Sequence, residues 1–397
     1  ELAGVIDPSP DRRRSPCILA DHCGGCSLQP LTDPAQARWK SAHVQATLER
    51  IGHLETTLRP IVIAPRSLGY RNRAILPLER TAEGLLRAGY YRRGSHRIVN
   101  LNRCPVLDPR IDALIAPLKD DIEASGWPVD RHGGGGLRHL ALRVGQGTGE
   151  ILITLVSQSP DLPGLDELAS VWMRRWPEVV GVCLNLQPQP SNRLMGDHTH
   201  TIAGRGWLVE RFAGLRYRIA ADTFFQVNTD QAEAVLPSLH EAFAATGHAL
   251  VDAYCGIGTY SLPLAHSGWS VLGLEQQPAS VALARRNAEA NGLASRARFT
   301  CSPVAAVLAD SLAETVANQS PQLFVDPPRK GLEPDALAAI LSAKPDRIAY
   351  LSCDPATLAR DLKQLCQSAA YELLWLQPFD FFPNTSHVEC LAVLRRR

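Results

Sequence analysis

The sequence predicts an α/β protein whose C-terminal part is a doubly wound parallel sheet and whose central part is mainly β. Its 397 residues are too many for one hydrophobic core, so two or three domains are expected. From Arg216 onward, short apolar runs alternate with helix-length stretches, which is typical of parallel βαβ units. Before Gly214, short β-branched or alternating runs predominate instead.

The predicted strands lie in the central and C-terminal parts. The stretch up to Lys40 is rich in Pro, Asp and Arg and is predicted to be loop-like. The change of pattern places the main domain boundary between residues 215 and 216. The predicted strands are Leu140–Val144, Ile151–Val156 and Val179–Leu186 in the central part, and Ala249–Ala253, Ser270–Leu274, Leu323–Val325 and Arg347–Leu351 in the C-terminal part.

The overall composition excludes several classes of protein. Hydrophobic residues make up 45% and charged residues 20% of the chain, a balance typical of globular proteins and not of disordered, collagen-like or coiled-coil ones. No window approaches the roughly 18 unbroken apolar residues of a membrane span, and the start has no signal-peptide pattern. We therefore expect a soluble, cytoplasmic monomer without membrane contacts. The chain begins with Glu1 and not Met, so the numbering is expected to start inside a longer protein.

The segment from Arg59 to Cys104 is strongly basic, although the whole chain has a formal charge of only +1. Its only acids are Glu79 and Glu83, against ten arginines. Guanidinium groups suit bidentate phosphate contacts and the interleaved tyrosines offer stacking surfaces, so a nucleic-acid partner is favoured. A solvated basic face balanced by acids elsewhere is the alternative. The arginines are Arg59, Arg66, Arg71, Arg73, Arg80, Arg87, Arg92, Arg93, Arg97 and Arg103.

Four of the ten cysteines form a pattern that indicates a metal centre. Cys17, Cys23 and Cys26 lie close together in Cys-x5-Cys-Gly-Gly-Cys, and Cys104 follows at a distance. Adjacent glycines let a tight loop wrap a metal, and four thiolates suit either a tetrahedral zinc or a [4Fe-4S] cluster. Spacing alone does not separate these two. A disulfide framework is disfavoured because the remaining cysteines are scattered.

A strand followed by a glycine turn, residues 250–259, predicts a ligand-binding loop. Gly256 and Gly258 allow the backbone to approach a ligand closely, with helix-terminal N–H groups directed at it. Glu275 ends the next predicted strand, where a carboxylate can accept hydrogen bonds from ribose hydroxyls. The turn is neither a NAD fingerprint nor a P-loop, and its Asp-x-x-x-Gly-x-Gly form resembles the class I S-adenosylmethionine-dependent methyltransferases. A structural turn or another nucleotide remains open.

Further segments place reactive side chains near the ends of predicted elements. Asp326 opens Asp-Pro-Pro-Arg-Lys-Gly-Leu after one strand, and Cys353 follows the next strand in Ser-Cys-Asp-Pro. Glu389 closes Pro-Asn-Thr-Ser-His-Val-Glu near the C-terminus. A buried cysteine taken alone is usually a small apolar residue, but this context favours a reactive thiol.

These motifs resemble the uracil-C5 RNA methyltransferases, which make 5-methyluridine. The resemblance rests on residues 326–332, 352–361 and 383–389 and on the Phe-Gln-x-Asn segment within residues 224–228. Residues 70–74 and 89–95 also match the central domain of that family, so the resemblance spans essentially the whole chain.

The resemblance implies a fold, a cofactor and roles for individual residues. Residues 216–397 would form a class I, Rossmann-like methyltransferase domain, and residues 17–215 the cysteine loop with a central RNA-binding domain. Cys353 would add to C6 of an extruded uracil, because C5 alone is too weak a nucleophile to attack a methyl sulfonium. Glu389 would then remove the C5 proton as general base. The positions that match the family's S-adenosylmethionine site are Gln226, Tyr254, Thr259, Glu275 and Asp326, the last lying against either the base edge or the methionine part.

The cysteine pattern is similar to the iron–sulfur branch of this family, which methylates 23S ribosomal RNA. That similarity implies a [4Fe-4S] cluster on Cys17, Cys23, Cys26 and Cys104. It also implies that residues 1–16 are the exit from an upstream OB-like domain. Transfer RNA is the alternative substrate.

The chain departs from the family pattern at two places. Residues 299–303 lack the acid that commonly contacts adenine, and Asp354 replaces the usual Asn after the nucleophile, where its charge is expected to raise the Cys353 pKa. Two other classes of function remain as alternatives. A cytosine-C5 methyltransferase usually has a Cys after the first Pro of the Asp326 motif, where this chain has Pro328. A non-enzymatic iron–sulfur RNA-binding protein is disfavoured because Cys353 and Glu389 are both present.

Overall fold

A computed structural model of the chain describes residues 5–129, 135–189, 193–243, 249–316, 322–367 and 370–397. Within these ranges the chain forms two β-sheets and a separate hairpin, with helices packed on both sheets. In the same ranges, no helix is long and apolar enough to cross a membrane. Residues 1–4 of the predicted N-terminal segment lie outside the described residues.

The central sheet has six strands in the described chain, in the order β2-β1-β3-β4-β5-β6. β4 and β5 pair in parallel and the other neighbours are antiparallel. All residues of β3 and β4 are buried, including Arg138, His139 and Arg143 of β3. The strands are β1 (Arg73–Arg80), β2 (Leu86–Ala88), β3 (Leu137–Val144), β4 (Ile151–Ser157), β5 (Val179–Leu186) and β6 (His198–Gly204), and they are followed by the hairpin β7 (Trp207–Phe212) and β8 (Leu215–Ala220).

The C-terminal sheet, called the catalytic sheet because it carries the predicted catalytic residues, has seven described strands in the order β11-β10-β9-β12-β13-β15-β14. The pairs from β11 to β13 are parallel, whereas β15 lies antiparallel between β13 and β14. Because β10 and β12 flank β9 on opposite sides, the strand order reverses there and leaves a crevice at the carboxyl ends of the strands. The strands are β9 (Ala249–Ala253), β10 (Ser270–Glu275), β11 (Ala297–Cys301), β12 (Gln322–Val325), β13 (Arg347–Ser352), β14 (Tyr371–Phe379) and β15 (Glu389–Arg396).

Helices cover the sheets so that both faces of the catalytic sheet are buried. Ala349 and Leu351 of β13 enter one apolar core, and the alternating residues Ile348 and Tyr350 enter the other. The helices are α1 (Asp33–Thr47), α2 (Pro109–Asp112), α3 (Ile115–Ala124), α4 (Leu165–Arg175), α5 (Thr229–Ala234), α6 (Leu236–Phe243), α7 (Ser261–His266), α8 (Pro278–Ala290), α9 (Val304–Val316), α10 (Pro334–Ala343) and α11 (Pro355–Gln367).

The predicted strands are confirmed, with β3 starting at Leu137 and not Leu140. The prediction of a loop up to Lys40 is confirmed for residues 5–32 and wrong from Asp33 onward, where α1 begins. Pro34 lies in the first turn of that helix, where its missing N–H costs no hydrogen bond. Composition therefore suggested a loop where the local positions favour a helix.

Two segments that the predicted limits, residues 17–215 and 216–397, assign wholly or partly to the first domain pack with the second. Val44 and Leu48, in α1 and the helical turn after it, pack into a core of the catalytic sheet. The hairpin β7–β8 spans the predicted boundary, and its Leu208 and Phe212 belong to the other core of that sheet. The catalytic unit thus includes N-terminal residues that the sequence pattern assigned to the central domain.

The N-terminal residues also hold the loop that leads into β15. Lys40 is fully buried, and its Nζ lies 2.5 Å from a carboxylate oxygen of Asp380. The side-chain oxygen of Asn384 accepts hydrogen bonds from Arg13 (2.8 Å) and Gln36 (3.2 Å). This loop is therefore fixed before the chain reaches Glu389.

Candidate active site

The carboxyl edge of the catalytic sheet gathers most of the predicted reactive and cofactor-binding residues. Glu275 is the last residue of β10, Asp326 directly follows β12, and Cys353 directly follows β13. Carboxyl ends of parallel strands meet at one edge, which is where ligands bind in open α/β sheets. Glu389 reaches the same edge from the opposite direction as the first residue of antiparallel β15.

Strand register brings Cys353 and Glu389 together. Ser352 of β13 pairs with Cys390 of β15, so the next positions of this antiparallel ladder are Cys353 and Glu389. Alternation along β13 and β15 also puts both side chains on the face occupied by Leu351 and Leu391. A thiol and a carboxylate therefore face the same crevice from adjacent strands.

The thiol and the carboxylate are both held toward their neutral forms. Burial raises the pKa of the half-buried Cys353 to about 12, and the charge of Glu389 adds to this effect. Burial also raises the pKa of the Glu389 carboxyl well above its usual range, with a further contribution from Asp326. The exposed Arg329 acts in the opposite direction and lowers the pKa of both groups. Its cation thus favours the thiolate and the carboxylate.

Asp326 is joined to Gln226 beside this pair. The Gln226 side-chain amide donates a hydrogen bond of 3.3 Å to Asp326 Oδ2. Burial raises the pKa of Asp326 to about 7, and this hydrogen bond partly offsets the effect. The backbone oxygen of Gln226 accepts a bond of 2.9 Å from the Asn72 side chain, so the central domain helps to position it.

The turn after β9 has the open shape that a bound nucleotide needs. Gly256 has a φ of 57°, and a Cβ built there meets no atom within 4 Å. Its N–H donates to Glu275 Oε2 at 3.2 Å, and Gln277 N–H donates to Glu275 Oε1 at 2.8 Å, which fixes this carboxylate at the strand end. Thr259 is buried in the turn before α7, and its carbonyl accepts a bond of 3.2 Å from the Tyr217 hydroxyl. These residues fit a cofactor of the S-adenosylmethionine type.

Of the predicted cofactor-binding residues, Tyr254 is the one whose side chain lies away from the crevice. It has a positive φ of 68°, and its ring packs against the core on the opposite face of the sheet. Burial raises the pKa of its hydroxyl to about 12, with further effects from Glu333 and Asp361. The hydroxyl has no hydrogen-bond partner among the described residues. The side chain therefore does not join Glu275 and Asp326 at the crevice.

The two departures from the family pattern have structural explanations. Asp354 Oδ1 accepts hydrogen bonds from the N–H groups of Ala356 (2.9 Å) and Thr357 (3.0 Å) at the start of α11. The raised pKa of Cys353 comes mainly from burial, with further contributions from Glu389 and Asp326, and Asp354 is not among its principal causes. Within residues 299–303, the Phe299 ring lies against Gly258 and Gly273, which supports the glycine turn from the neighbouring strand.

The four predicted metal ligands line one cavity of about 320 Å³. Burial raises the pKa of Cys26 to about 11 and that of Cys104 to about 12, and the neighbouring cysteines raise both further. In the described parts of the chain, no group of three or more His, Cys, Asp or Glu side chains is arranged to hold a metal ion. Arg329 also lines this cavity and so connects it with the predicted catalytic pair, Cys353 and Glu389.

The predicted basic stretch divides into structural and exposed arginines. Arg59 forms a two-pronged contact with Glu241 (2.7 Å each), and Arg66 binds Asp230 at 2.7 Å, so both join the central region to the catalytic domain. The loop of Arg92 pairs with the cysteine loop, since Gly24 N–H donates to the Tyr91 carbonyl at 2.9 Å. The exposed members of the stretch outside these ion pairs are Arg87, Arg92, Arg93, Arg97 and Arg103.

Sequence reasoning did not assign roles to three residues that the fold brings to the site. Arg329 lies inside a recognised motif, and its position between the cysteine cavity and the catalytic pair could have been suspected from that motif. Asp252 is the acid of the glycine-turn pattern, and it accepts a hydrogen bond from the Ser261 hydroxyl. Tyr260 is buried in the apolar core that also contains Leu351 and Leu391, and no local pattern marks it.

The doubly wound sheet, the glycine turn and the acid that ends the second strand define a protein of the class I methyltransferase type. Comparisons with known proteins agree. The sequence model of the tRNA (uracil-5-)-methyltransferase family matches residues 208–397. An uncharacterized RNA methyltransferase of Parasynechococcus marenigrum is 51% identical over 396 residues, covering 98% of this chain and 84% of that protein. Another, from Synechocystis sp., is 46% identical and covers 100% of this chain and 85% of that protein.

A solved structure resembles almost the whole fold. It is the crystal structure of Pyrococcus abyssi tRNA (uracil-54, C5)-methyltransferase in complex with S-adenosyl-L-homocysteine. Its TM-score is 0.77 at 28% identity, and the match covers 98% of this chain and 88% of that one. The present chain belongs to the uracil-C5 RNA methyltransferase family and is an S-adenosylmethionine-dependent RNA methyltransferase. The predicted family and the predicted class I fold are confirmed.

Proposed function

We propose that the chain methylates C5 of a uridine in 23S ribosomal RNA through a covalent bond between Cys353 and the uracil. The observation that carries this proposal is the register that places Cys353 opposite Glu389 on adjacent strands. A nucleophile and a base on one face of the sheet supply the two functions that uracil-C5 methylation needs. Because Cys353 is half-buried and Glu389 is buried, the base must leave its RNA stack to reach them.

The reaction follows from the chemistry of the two side chains. The Cys353 thiol loses its proton to solvent, assisted by the Arg329 cation, and the thiolate adds to C6 so that C5 becomes an enolate carbon. When bound, S-adenosylmethionine would supply the methyl group to C5 from its sulfonium, and its sulfur would leave as the thioether of S-adenosylhomocysteine. Glu389 then takes the C5 proton, the C5–H electron pair restores the C5=C6 double bond, and the bond from C6 to sulfur breaks. This step regenerates the Cys353 thiolate and releases the methylated uridine as the product.

The remaining site residues would contact either S-adenosylmethionine or the target uracil. Glu275 and Thr259 would hold the ribose and adenosine side of S-adenosylmethionine at the glycine turn. Gln226 and Asp326 would lie between the methionine part and the base edge, since their hydrogen bond is adjacent to Glu389. Tyr254 would support the cofactor loop from behind through its ring. The central domain, from the cysteine loop to β6, would bind RNA.

Cys17, Cys23, Cys26 and Cys104 would hold a [4Fe-4S] cluster. A cluster places irons and sulfides between its ligands, so the thiolates surround a cavity and need not converge on one ion. The cavity lined by the four cysteines suits such a ligand set. Because methyl transfer contains no redox step, the cluster would fix the basic loop of Arg92 through the Gly24–Tyr91 hydrogen bond.

Transfer RNA is the second candidate substrate. It is favoured by the similarity to the Pyrococcus abyssi enzyme, which is a tRNA (uracil-54, C5)-methyltransferase. The uracil chemistry at Cys353 and Glu389 is the same for either RNA. The two candidate substrates differ only in which RNA the central domain and the basic loop of Arg92 would bind.

A Glu389→Gln variant should add the methyl group but stall before proton loss, because the amide keeps the shape of the side chain and lacks its basicity. A protein–RNA adduct that survives denaturation should accumulate and be visible by gel electrophoresis. The matched control is Cys353→Ala with Glu389→Gln, which should form no adduct. If Glu389→Gln turns over normally without an adduct, another group is the base.

Anaerobically prepared protein should contain one oxygen-sensitive [4Fe-4S] cluster with the broad visible absorption of iron–sulfur centres. Cys104→Ser should lose most of the iron, whereas Cys366→Ser, a half-buried cysteine of α11, should retain it. Iron and sulfide analysis together with absorption spectra measures this. Stoichiometric zinc without iron under the same conditions would contradict the assignment.

Charge reversal of Arg92 and Arg93 should weaken RNA binding and reduce its salt dependence, because each lost phosphate contact releases fewer counterions. S-adenosylmethionine binding should not change. Reversal of Arg286 and Arg298, exposed on the catalytic domain, is the control of equal charge.

The preferred substrate is tested by offering undermethylated 23S fragments and transfer RNA in parallel, and methyl incorporation only into transfer RNA would refute the ribosomal choice.

A further inference from the structure

One side chain near the start of the described chain, Arg13, joins three separate parts of the protein. Its Nε donates a hydrogen bond of 3.0 Å to the Gln29 carbonyl, and its Nη2 donates one of 2.8 Å to Asn384 Oδ1. Its Nη1 forms an ion pair of 2.9 Å with Asp33, the first residue of α1. The planar guanidinium carries its donors in a fixed fork, so it can hold three partners in one geometry.

One end of this link is the cysteine loop. Gln29 follows Cys26 by three positions and is buried, and its Oε1 accepts a hydrogen bond of 3.1 Å from the Cys17 N–H. Gln29 also lines the cavity of the four cysteines. The Gln29 carbonyl that Arg13 binds is therefore anchored to the segment that carries the proposed cluster ligands.

The other end of this link is the loop between β14 and β15. Asn384 lies in that loop, five positions before Glu389, and is fully buried. Its φ of 68° lies in the left-handed region, where asparagine is one of the few side chains that are tolerated. Its Nδ2 donates a hydrogen bond of 2.6 Å to the Ser67 carbonyl. The position of Asn384 therefore depends on its side-chain contacts, and the chain continues from there into β15.

Two further hydrogen bonds reinforce the link that Arg13 makes. The Leu28 N–H donates to the Asn384 carbonyl at 2.9 Å, and the Ser386 N–H donates to Ser27 Oγ at 3.0 Å. The last part of the cysteine loop therefore lies against the loop that leads into β15. Arg13 binds both segments and holds them together.

The two reacting groups of the proposed function depend on this link to different degrees. Glu389 is the first residue of β15, so the loop before it sets where its carboxylate lies. Cys353 lies between β13 and α11 and is positioned by those two elements. Proton removal needs a base within hydrogen-bond reach, and a displacement of about 1 Å can cost roughly a hundredfold in rate.

Building on the proposed function, we propose that Arg13 is a positioning residue that keeps Glu389 within reach of the C5 proton. Through Gln29 and Asn384 it links the cysteine loop to the strand that begins at Glu389. Arg13 neither gains nor loses a proton and does not touch the RNA base. The step that it supports is proton removal after methyl transfer, whereas the addition of Cys353 to C6 does not require it.

An Arg13→Lys variant tests this role, because lysine keeps the charge but has a single ammonium group that cannot hold three partners in that geometry. The full chain, prepared anaerobically, is mixed with S-adenosylmethionine and an RNA that the wild type methylates. Release of methylated RNA should be roughly tenfold slower than in the wild type, because the base is displaced. A methylated protein–RNA adduct that survives denaturation should accumulate, as with Glu389→Gln.

The steps before proton removal should not change in Arg13→Lys. RNA with 5-fluorouridine should trap the variant at the wild-type rate, because trapping needs only Cys353 and methyl transfer. In steady state, kcat and KM for the RNA should fall together and leave kcat/KM near the wild-type value, since methyl transfer precedes the slow step. S-adenosylhomocysteine binding should be unchanged. A general loss of structure would instead impair trapping and binding as well.

Arg12→Lys and Arg14→Lys are the matched controls, because these neighbours carry the same charge and their side chains are exposed. Both should release product as the wild type does. Asn384→Gly approaches the same hydrogen bond from its other end, since it removes Oδ1 and allows the positive φ. It should also release product slowly and accumulate the adduct, which keeps the role testable if Arg13→Lys does not fold.

Release at the wild-type rate by Arg13→Lys or Asn384→Gly overturns the positioning role. An equal loss of trapping and release in Arg13→Lys that still binds S-adenosylhomocysteine overturns it too, as does a matching defect in Arg12→Lys or Arg14→Lys. If Glu389→Gln gives no adduct and 5-fluorouridine RNA does not trap the wild type, the proposed function itself fails. An adduct with Glu389→Gln but none with Arg13→Lys rejects only the role of Arg13.

Discussion

The antiparallel pairing of β15 with β13 determines where the proposed reacting groups, Cys353 and Glu389, lie. In a purely parallel sheet, only residues at the carboxyl ends of strands reach the ligand crevice, and the chain then leaves through a helix. A reversed strand enters the same edge at its first residue, so Glu389 stands beside Cys353 although the two residues are 36 positions apart. A shift of one residue in this register would turn Glu389 to the opposite face of the sheet.

The rest of the structure holds this register and completes the site. The loop before β15 is tied to the N-terminal residues by Lys40 and Asn384, so α1 contributes to the position of Glu389 without approaching the crevice. The central domain bonds the Gln226 carbonyl through Asn72, and Arg329 connects the cysteine cavity with the catalytic pair. A disturbance of the cysteine loop is therefore expected to reach the reacting groups through these contacts.

Much of the fold could be predicted because the parallel strands are buried on both faces and appear as continuous apolar runs. The motif acids and Cys353 could be placed at the sheet edge for the same reason. The helix at Asp33 was missed because its Pro and Asp residues resemble those of a loop, although they occupy a first helical turn. The direction of Tyr254 depends on a positive φ that no side-chain pattern reveals.

The central claim is that Cys353 becomes covalently bound to C6 of the target uracil. RNA with 5-fluorouridine at the target site tests it most directly, since fluorine cannot leave C5 as a cation and the adduct cannot break down. Incubation with S-adenosylmethionine, nuclease digestion and peptide mass mapping should find a methylated fluorouridine nucleotide on the peptide that contains Cys353, and none with Cys353→Ala. A nucleotide attached to another cysteine, or no attachment during active methylation of normal RNA, would contradict the account.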